Sequence, residues 1–465
     1  MPGNHLTYFF IFSPQIRQTL DAGIPPNSWL TWKIKETSTS SDLVLPKNHA
    51  GQNYDINALY ADQQFILYQV LRKIHEWLYC DDLSNFQPLR CTIIGQGGSG
   101  KSVLLNTITT VLRRLFQLND VVRVACPTGT AAFNANGETL HRLTLQGIGS
   151  EYLPNTLSDT KQNILRGRFK HLLCLVIDER SLLTSKLLGS TSQIISETIF
   201  DGSNINDLWG GLPVLILSGD DYQLPGTGEG AFQAMHSTKG SKMTQKGRDV
   251  FLQCSDIVYK LSTSRRINDS QQHDKDLLNR LRTGDNILDI DLQKLQSLHL
   301  NNICNRHGPT TIANIEKDAI FLFYTNEKRV KHNLQRLVAM NSKSNPTAII
   351  KCTGSGKKGK SIACHFQEES PKTTLLCLGA TVSLQGCNFQ PLWGLHNGAC
   401  GTVQEIIYTN NESPNTGHLP SYVVVRFPQY IGPAWDVNNP QVGTLIVRVS
   451  SASPLNNQHI FFPCN

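Results

Sequence analysis

No stretch of this sequence approaches the roughly 20 consecutive apolar residues that a helix needs to cross a bilayer. The longest apolar run near the start, Tyr8 to Phe12, has neither the basic flank nor the length of a secretory signal. Twelve cysteines are scattered from Cys80 to Cys464 without one Cys-x-x-Cys pair. That spacing excludes the common zinc motifs and a disulfide framework, and it predicts reduced, buried or idle thiols. There is no internal repeat. Excess charge is scarce too, since 43 Lys and Arg against 36 Asp and Glu leave a net charge of +7. A mildly basic balance suits a protein with one nucleic-acid groove, but many plain enzymes share it. Together these absences predict a soluble intracellular chain with no membrane partner.

What the chain does have is length and apolar content. At 465 residues and 39% hydrophobic, it can bury real cores and is expected to form two to four domains. Residues 1–50 carry Pro25-Pro26 and a Ser/Thr-rich stretch from Thr37 to Ser41, and predict an irregular arm. Leu59, Phe65, Ile66, Val70, Ile74 and Leu78 recur at near-helical spacing, which predicts a helix over Asn57 to Tyr79. A strand over Cys91 to Ile94, a helix over Lys101 to Phe116 and a strand over Val121 to Ala125 follow. Leu172 to Ile177 and Val214 to Leu217 are two more short apolar runs that lead into acidic residues. Strands alternating with helices imply a parallel, doubly wound sheet with its chemistry at the strands' carboxyl ends. A second unit is expected from about residue 255, with a strand over Ala319 to Phe323 and a helix over Glu327 to Met340. A polar loop then runs from Asn341 to His365. The β-rich runs Thr374 to Leu384, Gly401 to Ile407 and Tyr422 to Phe427 predict a small barrel-type insertion. The expected boundaries are 51–254 for the first domain, 255–384 for the second, and 385–465 for the insertion and tail.

The strongest chemical signal is Gly95-Gln96-Gly97-Gly98-Ser99-Gly100-Lys101-Ser102, placed after a short strand and at the start of a helix. In that context the motif is a P-loop: glycines let backbone N–H groups turn inward around phosphate oxygens at a helix N-terminus. Lys101 would reach the β- and γ-phosphates, and Ser102 would ligate Mg²⁺. A second stretch, Gly354 to Ser361, satisfies the same pattern but lies in a Lys-rich loop followed by no helical period, so it predicts a solvated basic loop. Asp178 and Glu179 follow an apolar strand, where such an enzyme needs one carboxylate to hold Mg²⁺ through water and another to activate the attacking water. Asp178 fits the first role and Glu179 the second. The same shape recurs after Leu217, where Gln223 is placed to bond the γ-phosphate and sense its loss. No guanine-reading Asn-Lys-x-Asp and no acceptor lid is present, which argues against a GTPase or a small-molecule kinase.

In this order the blocks resemble the Pif1-like helicases of superfamily 1. Leu59-Tyr-Ala-Asp-Gln63 is similar to that family's adenine-reading motif, so the resemblance gives Gln63 the base of ATP. Pro127-Thr-Gly-Thr-Ala-Ala132 and Gly137-Glu-Thr-Leu-His141 resemble its single-strand-contacting motifs, which makes Thr128, Gly129, Thr139 and His141 candidate DNA contacts. Asp178-Glu-Arg-Ser181 resembles its Mg²⁺ motif, and Gly219 to Pro225 its glutamine motif. Leu261 to Arg266, with Leu278 to Gly284 downstream, is similar to its fourth block, where an arginine reaches across to ATP; Arg266 is the better register match than Arg265. Gly379 to Leu384, Gly394 to Gly398 and Gly401-Thr402-Val403 look like the block leading into its inserted barrel, with Asn397 and Thr402 as further DNA contacts.

The resemblance covers residue 57 to at least 430. It implies an α/β P-loop NTPase fold with two RecA-like parallel-sheet domains and a small SH3-like β-rich insertion in the second. ATP and Mg²⁺ would be the cofactors, and single-stranded or forked DNA the partner of a monomer moving 5′ to 3′. The family's DNA repair, recombination and telomere work implies the nucleus, with mitochondrion or cytoplasm as alternatives. Two small departures are Asp221, where an aromatic or small residue is usual, and Gly226, where a second proline is usual. A larger one is the family's final His-Lys-Ser-Gln-Gly-type block, which does not appear before Asn465. That departure implies an alternative: a truncated or decayed copy that binds ATP and single-stranded DNA without unwinding.

Overall fold

A computed structural model describes residues 43–48, 51–147, 152–199, 208–226, 230–231, 235–262, 271–284, 286–351, 373–384, 390, 393–408, 420–432 and 444–448. The chain divides into two compact units, residues 1–287 and 288–465. The expected arm falls almost wholly outside the described residues. So do the Gly354 to Ser361 look-alike and Arg265 and Arg266.

The first unit holds a six-stranded sheet built from β1 (Leu89–Gly95), β2 (Val122–Cys126), β3 (Glu138–Thr139), β4 (Cys174–Ile177), β5 (Val214–Gly219) and β6 (Val258–Leu261). Its order is β3-β2-β4-β5-β1-β6, and every pairing is parallel. Parallel strands joined by helical crossovers are covered on both faces, so they need apolar residues at every position and not at alternate ones. β4 and β5 obey this, being buried at each residue. The two-residue period still sorts them: Cys174, Val176, Val214 and Ile216 face one core, Leu175, Ile177, Leu215 and Leu217 the other.

Helices α1 (Ala61–Leu78) and α2 (Lys101–Phe116) cover the first face with Ile66, Leu67, Val70, Leu104, Ile108 and Leu112. Between β2 and β4 come the short helices α3 (Gly129–Asn134) and α4 (Leu140–Leu143) and then α5 (Asp159–Phe169). Helices α6 (Ser185–Ile199) and α7 (Lys242–Gln253) join α5 on the second face through Leu165, Phe169, Leu188, Ile195, Met243 and Phe251. α6 and α7 pack backbone to backbone. A Cβ at Gly189 would lie 1.9 Å from the Met243 carbonyl, and one at Gly247 1.8 Å from that of Ser185. Helix α8 (Gln272–Thr283) closes the unit.

The first sheet therefore continues past residue 254. β6 pairs with β1, Gly95 opposite Leu261, although the sequence reading opened the second domain at 255. An edge strand carries only half a burial pattern, and β6 is exposed or half-buried at three of its four residues, which is why its periodicity is faint.

In the second unit, α9 (Asp289–Ser297), α10 (Leu300–His307), α11 (Pro309–Asp318) and α12 (Asn326–Met340) precede the β structure. β7 (Ala348–Lys351) pairs antiparallel with β8 (Thr373–Leu376). β9 (Thr381–Ser383), β10 (Cys400–Ile407), β11 (Tyr422–Arg426) and β12 (Thr444–Arg448) form an antiparallel sheet ordered β12-β11-β10-β9. Val382, Leu395, Val403, Val423, Val425 and Phe427 form its core. All described pairings in this unit are antiparallel, so the second parallel sheet implied by the resemblance is not among the described residues.

Two local expectations need correction. Residues 319–323 are not a strand. Ile320 and Leu322 stand exposed while Phe321 and Phe323 lie against the His332 ring, and no ladder partner lies beside them among the described residues. The loop expected over 341–365 contains β7, because Ala348, Ile349 and Ile350 find Leu376, Leu375 and Thr374 across the pair. Among the described residues no helix is long and apolar enough to cross a membrane.

Candidate nucleotide-binding site

The strand register alone brings the chemistry together. β5 lies between β4 and β1, with Ile177 opposite Leu217 and Ile94 opposite Gly219. Asp178 therefore leaves β4 level with Ser218, and Asp220 leaves β5 level with Gly95, where the P-loop begins. With strands about 4.8 Å apart, the three strand ends share one small patch.

At that patch the chain between β1 and α2 turns through Gly98 at φ 83° and Gly100 at φ 86°, a left-handed region that a Cβ disfavours. Gly100 caps α2 without a side-chain bond, so the first N–H groups of α2 are left for an external anion. Ser99 is buried, and its hydroxyl has no hydrogen-bond partner among the described residues. Ser102 is exposed at the first turn, and Gly97 at the crest of the loop. The Lys101 ammonium folds back on the loop, donating to the Gly95 carbonyl at 2.5 Å and that of Gln96 at 3.3 Å. Burial depresses its pKa; the carboxylates of Asp220, Asp178 and Glu179 pull it back up, and Arg282 adds to the depression.

Asp178 is nine-tenths buried and its pKa is raised by that burial, against the Ser218 hydroxyl, the Glu179 amide and Lys101. Glu179 is raised by burial and by its neighbour Asp178, with Lys101 opposing. A base at a hydrolytic site works best with its pKa lifted toward neutrality, so the direction suits the role. Glu179 sits at φ 58°, ψ 49°. A left-handed glutamate costs on the order of 1–3 kcal/mol and persists only where the surroundings hold it. Here they do. The next residue, Arg180, is buried and spends every nitrogen group of its guanidinium but none on solvent. Its Nε and Nη2 donate to the two Asp221 oxygens at 2.8 and 3.0 Å, Nη1 donates to the Thr92 hydroxyl at 2.7 Å, and its Cζ lies over the Phe251 ring. A Cβ at Gly219 would meet the Arg180 amide nitrogen at 2.8 Å, so only glycine fits there.

Asp220 is buried and accepts from Arg282 Nη1 at 2.5 Å; the Arg282 Cζ lies over the Tyr222 ring, 4.7 Å from its centre. Neither Asp220, Arg282 nor the Arg180–Asp221 pair was singled out for a role from sequence. Asp220 had a signal, since it ends an apolar strand as Asp178 does. Arg282 had none beyond its place in the Leu278 to Gly284 block, because the fold alone brings α8 to the end of β5.

The remaining candidates divide by place. Gln63 is buried at the start of α1, where its side chain accepts from the Tyr60 amide at 3.0 Å and donates to the Gly100 carbonyl at 3.2 Å. In this state its amide braces the P-loop from behind. Gln223 is exposed in the turn after β5, with its amide bonded to the Asp220 carbonyl. Thr128 and Thr139 lie at the carboxyl ends of adjacent strands, Cys126 being paired with Thr139. Each hydroxyl caps a short helix, accepting from Ala131 and Arg142 at 3.3 Å, and Gly129 opens the first of these helices. His141 is half-buried, and burial lowers its pKa. Asn397 is exposed in the turn before β10, and Thr402 lies within β10 opposite Thr381 and Arg426, so both belong to the second unit. Arg266 is outside the described residues.

The donor set fits the implied ligands. A row of free helix amides, an ammonium and a buried hydroxyl suit a polyphosphate. One hydroxyl, Ser102, with one carboxylate, Asp178, suits Mg²⁺, which completes its shell with water and phosphate oxygens. Among the described residues no three His, Cys, Asp or Glu side chains are grouped as a self-sufficient metal cage.

Residues 70–290 match the family model for PIF1-like helicases. This part of the chain is therefore similar to the PIF1-like helicases. The matched segment runs from the middle of α1 through α8 and includes the P-loop, both acidic strand ends and Arg282. Among similar proteins, the ATP-dependent DNA helicase PIF1 of Emericella nidulans is 35% identical over 138 residues, 29% of this chain and 18% of that protein. The ATP-dependent DNA helicase RRM3 of Saccharomyces cerevisiae is 33% identical over 132 residues, 28% of this chain and 17% of that protein. The chain thus matches less than a fifth of the length of these relatives. The crystal structure of Pif1 helicase from Candida albicans aligns with a TM-score of 0.52 at 21% identity, covering 84% of this chain and 78% of that one. That likeness places the fold among P-loop NTPases of the RecA-like kind.

Proposed function

We propose that this chain is an ATP-dependent DNA helicase of the Pif1 type, coupling ATP hydrolysis to 5′-to-3′ movement along single-stranded DNA and to strand separation. One observation carries the reading: Lys101, Asp178 and Glu179 meet at the end of one parallel sheet, beside the glycine-rich turn that opens helix α2. The PIF1-like match over residues 70–290 supports it.

On this reading Lys101 leaves its two loop carbonyls for the terminal phosphates, and Ser102 and Asp178 would hold Mg²⁺, which supplies charge neutralisation on the phosphate oxygens. Glu179, raised toward neutrality, takes the proton of the attacking water. Gln223 sits three residues beyond Asp220, on the turn that would register loss of the γ-phosphate. Arg266 is the candidate arginine that stabilises developing charge. Thr128, Gly129, Thr139 and His141 would meet the DNA strand through amides, hydroxyls and a ring, and Asn397 and Thr402 would do so from the second unit.

The test is steady-state ATP hydrolysis by purified protein with and without single-stranded DNA, followed by unwinding of a fork with a 5′ tail. Hydrolysis stimulated by DNA, together with strand separation, is the expected result. Stimulated hydrolysis without separation would favour a binding copy that no longer unwinds, and an absence of hydrolysis would sink the proposal.

A further inference from the structure

Two arginines meet the acidic residues after β5, and they are bonded differently. Arg180 is bonded at every nitrogen: its Nε, Nη1 and Nη2 all have protein acceptors, its Cζ lies over Phe251, and it is 4% exposed. A guanidinium in that condition is a strut. Arg282 is 23% exposed at its side chain, donates from Nη1 to Asp220, and rests on the exposed ring of Tyr222. Among the described residues that single carboxylate is its only hydrogen-bond acceptor, which leaves most of its five N–H groups available to a second anion. Arg282 also lies near enough to Lys101 to act on its charge.

We infer that Arg282 is a further nucleotide-site residue, one that holds Asp220 and exchanges part of that contact for the terminal phosphate of a nucleoside triphosphate. The inference rests on the ATP-site reading above. The geometry gives three reasons. Asp220 ends β5 level with Gly95, at the mouth of the phosphate loop, so an arginine bonded to it is already at the site's edge. The Arg282 Cζ lies over the Tyr222 ring, a contact that holds the guanidinium without using its N–H donors. The buried Asp220 also has a reserve of positive charge in Lys101, so Arg282 can loosen its grip without stranding a carboxylate.

Arg282 would then contribute to discrimination between triphosphate and diphosphate, since only the former reaches it. The test is binding, without turnover, of Mg²⁺ with ADP and Mg²⁺ with a non-hydrolysable ATP analogue, measured by calorimetry on the whole chain. Arg282→Gln is expected to weaken the triphosphate about tenfold or more while changing ADP affinity little, the scale of one charge-assisted hydrogen bond. Asp220→Asn, which frees Arg282, is expected to shift the ratio the other way. Tyr222→Ala, at an exposed position, should lose part of the discrimination with no loss of fold and serves if the arginine variant does not fold. A ratio unchanged in Arg282→Gln and Tyr222→Ala, or a uniform loss for both nucleotides, overturns the inference while leaving the ATP site standing. A parent chain that binds neither nucleotide overturns both.

Discussion

Strand β4 runs out into Asp178 and Glu179, and its neighbour β5 runs out through Gly219 into Asp220 and Asp221. In sequence the two endings have one shape, four or more apolar residues and then paired carboxylates. In the fold they part. Asp178 and Glu179 have no arginine partner among the described residues, sit beside Lys101 and have their pKa values raised by burial. Asp220 and Asp221 each have an arginine, Arg282 and Arg180. Unmatched carboxylates are costly and reactive; matched ones brace the turn around them. On the proposed function, the comparison separates a pair assigned to the chemistry from a pair that positions it.

The largest break in this scheme is Lys101→Ala. It should abolish measurable ATP turnover and leave single-strand binding largely intact, because the candidate DNA contacts lie on other strand ends. Filter binding beside a phosphate-release assay checks both halves, and an undiminished rate ends the ATP-site reading. Next in size, Glu179→Gln should bind ATP and trap it, slowing single-turnover hydrolysis by roughly a hundredfold or more. Rapid turnover in that variant would remove Glu179 as the base.

On the matched side, Asp221→Ala should cost about 3 kcal/mol in denaturant unfolding, because it strands the buried Arg180 guanidinium. The double replacement Arg180→Met with Asp221→Leu should recover most of that loss. Equal losses in the single and double variants would show that the bidentate pair is not what holds the turn.

The smallest effect is also the sharpest. The raised pKa of Asp178 means that its charge is tolerated less well in the folded chain than in the unfolded one. Stability tied to that group is fully present below the unfolded carboxylate pKa and is lost as pH rises through the higher folded value. Asp178→Asn should therefore raise Tm at neutral pH, and the gain should fade as pH drops into the acid range. Asp220→Asn, which replaces the charged acceptor of Arg282 with a neutral amide, should lower Tm at neutral pH. Matching signs for the two variants would erase the distinction between the strand ends.

How much of this was legible beforehand varied with the signal. The P-loop stood out because glycine spacing, a preceding strand and a following helix all agree over a dozen residues, and α2 begins and ends where the periodicity placed it, at Lys101 and Phe116. The strand over 319–323 misled because an apolar run says nothing of a partner. β6 went unseen because an edge strand is only partly buried. Asp221 looked like a harmless departure from the family's pattern, and the structure gives it both charge-paired bonds of Arg180. Arg180 itself carried no assigned role.

The sequence by itself determined the phosphate loop, the parallel sheet and the Asp178-Glu179 strand end, because each is written in neighbouring residues whose period and backbone freedom leave few alternatives. Tertiary structure alone decided which carboxylates are neutralised. Arg180 and Asp221 are 41 residues apart, and Arg282 and Asp220 are 62 apart. An ion pair depends on distance in space, which no local pattern encodes.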